Sequence, residues 1–230
     1  MCRALLMAGL VFLASTPAYA DARNLAPGFT TLARSATVLI MPPDVELFSI
    51  SGGGVVEPKA DWTAAAHSHI HAALSRKATE LGMKTSELPE KDADELAEIS
   101  ALHAAVARSI AFHHMGMGAM ALPTKNGKLD WSMGDAVKPV LEKSAADYAL
   151  FIWMRDSYAS SERVATMVAL ALLGVGVPGG IQIGYASLVD LRSGQVVWFN
   201  RLLRGSGDLR EAEPAAETVK ALLDQFPDSK

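Results

Sequence analysis

All six histidines of this 230-residue chain fall between His67 and His114, and methionine and glycine crowd the end of that stretch. Imidazole and thioether are metal ligands, so chemistry is sought there first. His67 and His71 are four apart. On a helix that spacing puts both rings on one face, where they can share a zinc ion while His69 projects toward another side. A solvated helix face has the same pattern. The run His113-His114-Met115-Gly116-Met117-Gly118-Ala119-Met120 combines the ligands that suit soft copper. Methionine also fills irregular gaps in cores, and Met-Gly loops cover helix ends. His103 sits inside an apolar stripe, the setting of a hydrogen-bonded core histidine.

Patterns for other chemistry are thin. The chain has no G-x-S-x-G elbow and no H-E-x-x-H pair. Gly174-Val175-Gly176-Val177-Pro178-Gly179 matches G-x-G-x-x-G by letter, but a dinucleotide loop must follow a strand and open a helix. This one follows a helix-like run and contains Pro178, so it is read as a helix terminator and turn. Asp156, Ser157 and Ser160 follow a strand-like run, a place where α/β proteins put function. The sequence therefore assigns no catalytic residue, no metal ligand and no cofactor, and the chain is read as a non-enzyme.

The first twenty residues set the working compartment. Arg3 gives a positive start, Ala4 to Ala14 form an apolar run, Pro17 breaks it, and Ala18-Tyr19-Ala20 has the small-x-small form of a signal-peptidase site. Cleavage is expected between Ala20 and Asp21, giving an exported, periplasmic protein. The apolar run is shorter than the ~20 residues a membrane-spanning helix needs. Cys2, the one cysteine, lies in the leader and away from the cut, where a lipid-bearing cysteine would be. Loss of Arg3 takes the formal charge from −4 to −5, and the scattered Lys and Arg form no stripe that could neutralise phosphates. Nucleic-acid binding is disfavoured.

The elements that position these residues alternate. Residues 21–35 are expected to be a flexible lead-in, and 36–227 one α/β domain. Thr37 to Met41 is a buried strand stopped by Pro42-Pro43. Val45 to Val56 has a Gly52-Gly53-Gly54 hinge between two short extended pieces, read as an edge hairpin or a flexible loop. Pro58 opens a helix that runs to Gly82, Met83 to Leu88 is a weak strand, and Pro89 opens a second long helix ending near Gly116. A loop follows, then a short helix from Asp135 to Ala145. Tyr148 to Met154 is the most apolar strand of the mature chain.

Val164 to Val189 is 26 residues without a charge, interrupted at Pro178-Gly179-Gly180. It is read as a core helix ending near Gly174 and a core strand from Ile181 to Leu191. The other reading of residues 162–180 is an oligomer interface, or a segment touching a membrane without spanning it. Gln195 to Leu203 returns antiparallel. The closing helix has capping-box spacing at Asp208 and Glu211 and a stripe of Ala215, Ala216, Val219, Leu222, Leu223 and Phe226. The fold class is α/β: a mixed sheet packed by helices, with a C-terminal β-hairpin and a closing helix.

One part of this pattern has a family look. Ala146-Asp147-Tyr148-Ala149-Leu150 precedes a hairpin, Leu188-Val189-Asp190-Leu191-Arg192-Ser193-Gly194-Gln195-Val196-Val197-Trp198. The pair resembles bacterial envelope proteins related to the curli secretion channel and the penicillin-binding-protein activator lipoproteins, whose domain is similar to the N-terminal domain of TolB. Those families carry an Asp-x-x-x-Gly-x-x-x-Trp hairpin, here Asp190, Gly194 and Trp198. The resemblance covers residues 36–205 and implies a fold and an envelope setting. The expected role is a binding or assembly module whose partner is an envelope protein or the chain itself. A periplasmic copper or zinc binder using 113–120 is the alternative, and a hydrolase comes third.

Overall fold

The computed structural model describes residues 23–116 and 120–230. The leader, with Ala18, Ala20 and Asp21 at its expected cut, lies outside the described residues, as do Met117 to Ala119 of the His/Met run.

Among the described residues seven strands form one mixed sheet, in which β1 is Thr37–Ile40, β2 Asp44–Ile50, β3 Val56–Pro58, β4 Lys84–Glu87, β5 Tyr148–Ala159, β6 Gln182–Asp190 and β7 Val196–Arg204. The long strand β5 is its axis. Along one edge β5 pairs in parallel first with β1 and then with β2; along the other it pairs antiparallel with β6, which pairs with β7. Pro42 and Pro43 lack amide donors, so the ladder breaks between β1 and β2 and the register against β5 shifts by one residue. Outside them lie β4, parallel to β1, and β3, antiparallel to β2.

Helices cover both faces. On one, α1 (Ala60–Glu80) and α6 (Ala212–Leu222) bury Ile70, Leu74, Val219 and Leu222 against Val45, Leu47, Leu150, Met154 and Leu188. On the other, α3 (Ala97–His113) and α4 (Lys138–Ser144) bury Ile99, Ala107, Ile110 and Val140 against Leu39, Phe151, Val189 and Phe199. The single α/β domain with its closing hairpin and helix is therefore observed, as a three-layer sandwich.

Several local expectations are corrected. The helix after Gly54 starts at Ala60, because Pro58 is still paired in β3. The helix from Pro89 is two, α2 (Glu90–Glu95) and α3, broken at Leu96, whose side chain is buried and whose backbone leaves helical angles. The Asp135–Ala145 helix begins as a 3-10 turn over Gly134–Val137. Asp208 and Glu211 form no capping box: the Asp208 carboxylate holds Arg210 instead, and Glu211 caps with backbone alone. Within residues 23–35, Ala26 N donates to Val197 O and Leu32 N to Asp228 O, and Ala26 and Leu32 are buried.

The largest correction concerns the uncharged run. Helix α5 (Ser161–Leu172) is present and ends near Gly174, but none of its residues is buried. It is not a core helix.

The β6–β7 turn explains its own sequence. The Asp190 carboxylate accepts from the amides of Arg192 and Ser193, and Gly194 N closes the turn on Asp190 O at 2.8 Å. Gly194 has φ +71°, and a Cβ there would lie 2.3 Å from Gly134 O. Trp198, fully buried, then packs edge-on against Phe226 at 5.0 Å. Gly194→Ala is expected to destabilise the domain by about 1–3 kcal/mol through left-handed strain and this clash, read as a lower denaturation midpoint in urea.

Candidate functional site

The site is built around the excursion between β5 and β6, residues 160–181, which carries α5. Ser160 starts it by capping α5, its Oγ accepting from Arg163 N at 3.2 Å. Gly174 ends the helix at φ +77°: Gly174 N donates to Ala171 O and Val175 N to Leu170 O, a Schellman closure. The G-x-G-x-x-G letters are thus a helix stop, as the sequence implied. The return to the sheet is tight, since a Cβ on Gly180 would sit 1.9 Å from Ser157 O, and only glycine fits.

A polar cluster holds both roots of this excursion. Asp156 is 3% exposed at the end of β5. Its carboxylate accepts from Tyr158 OH (2.6 Å), Gln182 Nε2 (2.5 Å) and Ser157 N (2.8 Å). Gln182 in turn accepts from Arg204 Nε at 2.8 Å, and the Arg204 guanidinium also donates to the Thr218 hydroxyl. Tyr158 OH accepts from Leu209 N at 2.7 Å. Arg210 lies across Tyr158 (4.0 Å) and Trp62 (4.7 Å), gripped by both carboxylate oxygens of Asp208. Ser157 Oγ accepts from Ile181 N at 2.9 Å, fastening the far root.

The electrostatics follow from burial. Burial raises the Asp156 carboxyl above its ordinary range, against the pull of the hydrogen bonds from Tyr158 and Gln182. Burial and the bond to Asp156 raise the Tyr158 phenol. The hydrogen bond from Arg210 lowers Asp208. Asp156, Ser157 and Ser160, singled out by position in the sequence, are brought together here, yet each is engaged within the protein: a clamp, with every named donor matched to an acceptor. Sequence reading missed Gln182, which was placed on the polar side of its strand, and Arg204 and Thr218, which were not singled out.

Above this clamp α5 faces two ways. Arg163, Thr166, Met167 and Leu170 are half-buried toward the body, at the i, i+3, i+4, i+7 spacing of one helix side. Val164, Val168 and Leu172 run along the opposite side in the open, with Ala165 and Ala169 beside them. Leu172 and Leu173 are 84% and 77% exposed. Next to α5 is an open groove of about 590 Å³ lined by Ile50, Val56, Pro178, Ile181 and Leu203, with Arg163 and Arg204 among its walls.

The histidines are dispersed. His67 and His71 lie exposed on α1 beside a groove that also contains Glu87, and His71 Nε2 is 3.4 Å from Glu87 Oε1. Among the described residues no three His, Cys, Asp or Glu side chains converge as a metal site. In the His/Met run, His113 Nδ1 lies 2.8 Å from Met120 O and His114 Nε2 2.7 Å from Arg23 O, so one nitrogen of each ring is turned to backbone, while Met115 packs on the core. His103 is a core histidine, as expected, stacked on Phe151 at 4.9 Å with Nε2 2.8 Å from Ser187 Oγ.

With fold and site in view, the class is plain: a single-domain α/β sandwich carrying an exposed apolar helix between two central strands. No protein-family model and no curated protein matches the chain. Similar solved structures include the PelC dodecamer from Paraburkholderia phytofirmans, with 16% identity and a TM-score of 0.40, covering 90% of this chain and 95% of that one. Lipoprotein GNA1162 from Neisseria meningitidis has 15% identity and a TM-score of 0.33, covering 83% and 97%. The C-terminal domain of LpoB from Salmonella enterica has 11% identity and a TM-score of 0.31, covering 78% and 87%. The resemblance to envelope proteins read from the hairpin thus reappears among solved structures, as a weak likeness that transfers no role.

Burial lowers His103 to about 3. The fold therefore prefers the neutral ring: this contribution is complete above the unfolded value near 6.5 and is lost as pH falls from there toward 3. Wild type is expected to lose stability below pH 6 with a slope approaching about 1.4 kcal/mol per pH unit from this residue. The check is urea unfolding at pH 7, 6 and 5 beside His103→Gln, in which that component of the slope disappears.

Proposed function

We propose that this chain is an exported, non-enzymatic binding or assembly module of the cell envelope, and that it docks a protein partner through the outer face of α5. One observation carries the reading. A helix that is apolar on every side belongs in an interior, and beyond its first turn α5 has no charge, yet none of its residues is buried among the described residues. No helix among the described residues is long and apolar enough to cross a membrane.

The sheet edges support docking less. The outer edge of β7 is partly taken: Ala26 N donates to Val197 O, Phe199 N to Asn24 O and Val196 N to Trp131 O. Strand β4 is the short polar Lys-Thr-Ser-Glu, and β3 is three residues long and ends in proline. The proposal carries no catalytic step because the groups of the polar cluster are committed to one another by hydrogen bonds, although Asp156, Tyr158, Gln182 and Arg210 line an open pocket of about 230 Å³. The leader read from the sequence supplies the envelope setting.

The test is a double substitution, Val168→Glu with Leu172→Glu, at two exposed sites. Fully burying each of these side chains is worth about 1.5–3 kcal/mol. Crosslinking of tagged mature protein in envelope extract is expected to give specific adducts that the variant loses on the order of 100-fold, with circular dichroism unchanged. Adducts that persist at wild-type yield in the variant overturn the reading.

A further inference from the structure

The outer stripe of α5 and the groove beside it are two different surfaces on one chain. The stripe is convex: Val164, Val168 and Leu172 stand on one helix side between alanines. The groove is concave, framed by the β2–β3 hairpin and the ends of β6 and β7. We infer that they fit each other between copies: the α5 stripe of one molecule seats in the groove of a second, head to tail. This rests on the docking role proposed for α5 and names the partner.

Three observations point to a second copy. The first is extent. Among the described residues, nine of the twelve large apolar side chains that stand exposed lie on the hairpin, α5 and its return loop, and the adjoining strand ends. Seating a stripe in a groove takes one of these two surfaces from each copy, so the nine side chains together make the two sides of a single contact, at the small end of specific interfaces and dependent on concentration.

The second is charge. Arg163, on the groove wall, has a buried Nε with no partner, and its Nη2 reaches only Pro178 O at 3.4 Å. The one acidic residue of α5 is Glu162, exposed at the start of the helix that bears the stripe. Seating a stripe in a groove brings a carboxylate from one copy to an arginine of the other that lacks one.

The third is economy of cover. Pairing α5 with its own copy about a two-fold axis buries the stripe and leaves the groove open, whereas head-to-tail contact covers both. Such contact is heterologous, so association does not stop at two molecules unless the rotation closes a ring. A bilayer fits less well. Helices that lie in a membrane interface have a strongly charged opposite face rich in Lys or Arg, and the inward side of α5 offers one arginine in a chain of formal charge −4.

The test uses the mature protein, the stripe variant Val168→Glu/Leu172→Glu, and a groove variant, Ile181→Glu/Leu203→Glu, whose sites are 46% and 56% exposed and so lie outside the core. Sedimentation velocity from 1 to 100 μM, with circular dichroism and melting of each variant as folding controls, gives the readout. Wild type is expected to grow past the dimer with concentration. Each variant alone is expected to be monomeric, its association weakened at least 100-fold. A 1:1 mixture of the two should form a dimer and no more, because the intact groove of one accepts the intact stripe of the other. A groove variant that still dimerises alone overturns the head-to-tail fit in favour of α5 pairing. Wild type that stays monomeric at 100 μM overturns the second copy as partner, whether it instead floats with phosphatidylglycerol vesicles or sediments alone. Envelope adducts that the stripe variant abolishes while wild type stays monomeric would leave the docking role standing without this partner.

Discussion

Strand β5 is the constraint on which the rest of the molecule depends. It is hydrogen-bonded along both edges, and Ala149 to Met154 are buried, as the axis of a sheet covered on both faces must be. A strand so enclosed leaves its backbone no alternative partner, which fixes the register of everything attached to it. The excursion to α5 begins where β5 leaves this enclosure and ends where β6 re-enters it. Its two roots are neighbours, since Asp156 pairs with Gln182 in register and Ser157 bonds to Ile181.

The polar cluster makes that junction specific. A carboxylate as buried as Asp156 is costly unless its lone pairs are met, and a half-satisfied network is worse than an apolar one. Tyr158, Gln182 and Ser157 meet it, and Arg204 and Thr218 extend the same network to β7 and α6. The direction of the Asp156 shift shows that desolvation outweighs these bonds, so the ionised form is held at some cost to stability. That cost is spent on geometry: α5 is presented from a rigid base while remaining outside the core.

Much of the fold was legible in the sequence because its signals are local. An apolar run stopped by Pro42-Pro43 gave β1, the most apolar run of the mature chain gave β5, the Asp190–Gly194 turn gave the hairpin, and the stripe through Val219 and Leu222 gave α6. What failed required knowledge of contacts distant in sequence. The uncharged run after Arg163 has the composition of a core helix, and composition cannot tell whether another element of the chain covers it. Capping-box spacing at Asp208 was present, but Arg210, two residues on, takes the carboxylate with both its amide and its guanidinium, which leaves the Glu211 amide to the Asp208 backbone oxygen. The clamp is the clearest case: its members come from β5, β6, β7 and α6, and no spacing rule links Asp156 to Arg204 or Thr218. The hydrogen bonds of the lead-in could not be read because their partners, Val197 and Asp228, lie some 170 to 200 residues away.

The four tryptophans fall in four separate environments: Trp62 under Arg210 beside Tyr158, Trp131 below Lys125, Trp153 stacked between Arg155 and Tyr185, and Trp198 sealed in the core against Phe226. Each indole therefore reports its own quarter of the molecule. Intrinsic emission can be decomposed by single Trp→Phe replacement into a signal for the clamp, one for the 120–134 loop, one for the open half of the sheet and one for the interior, without attaching any dye.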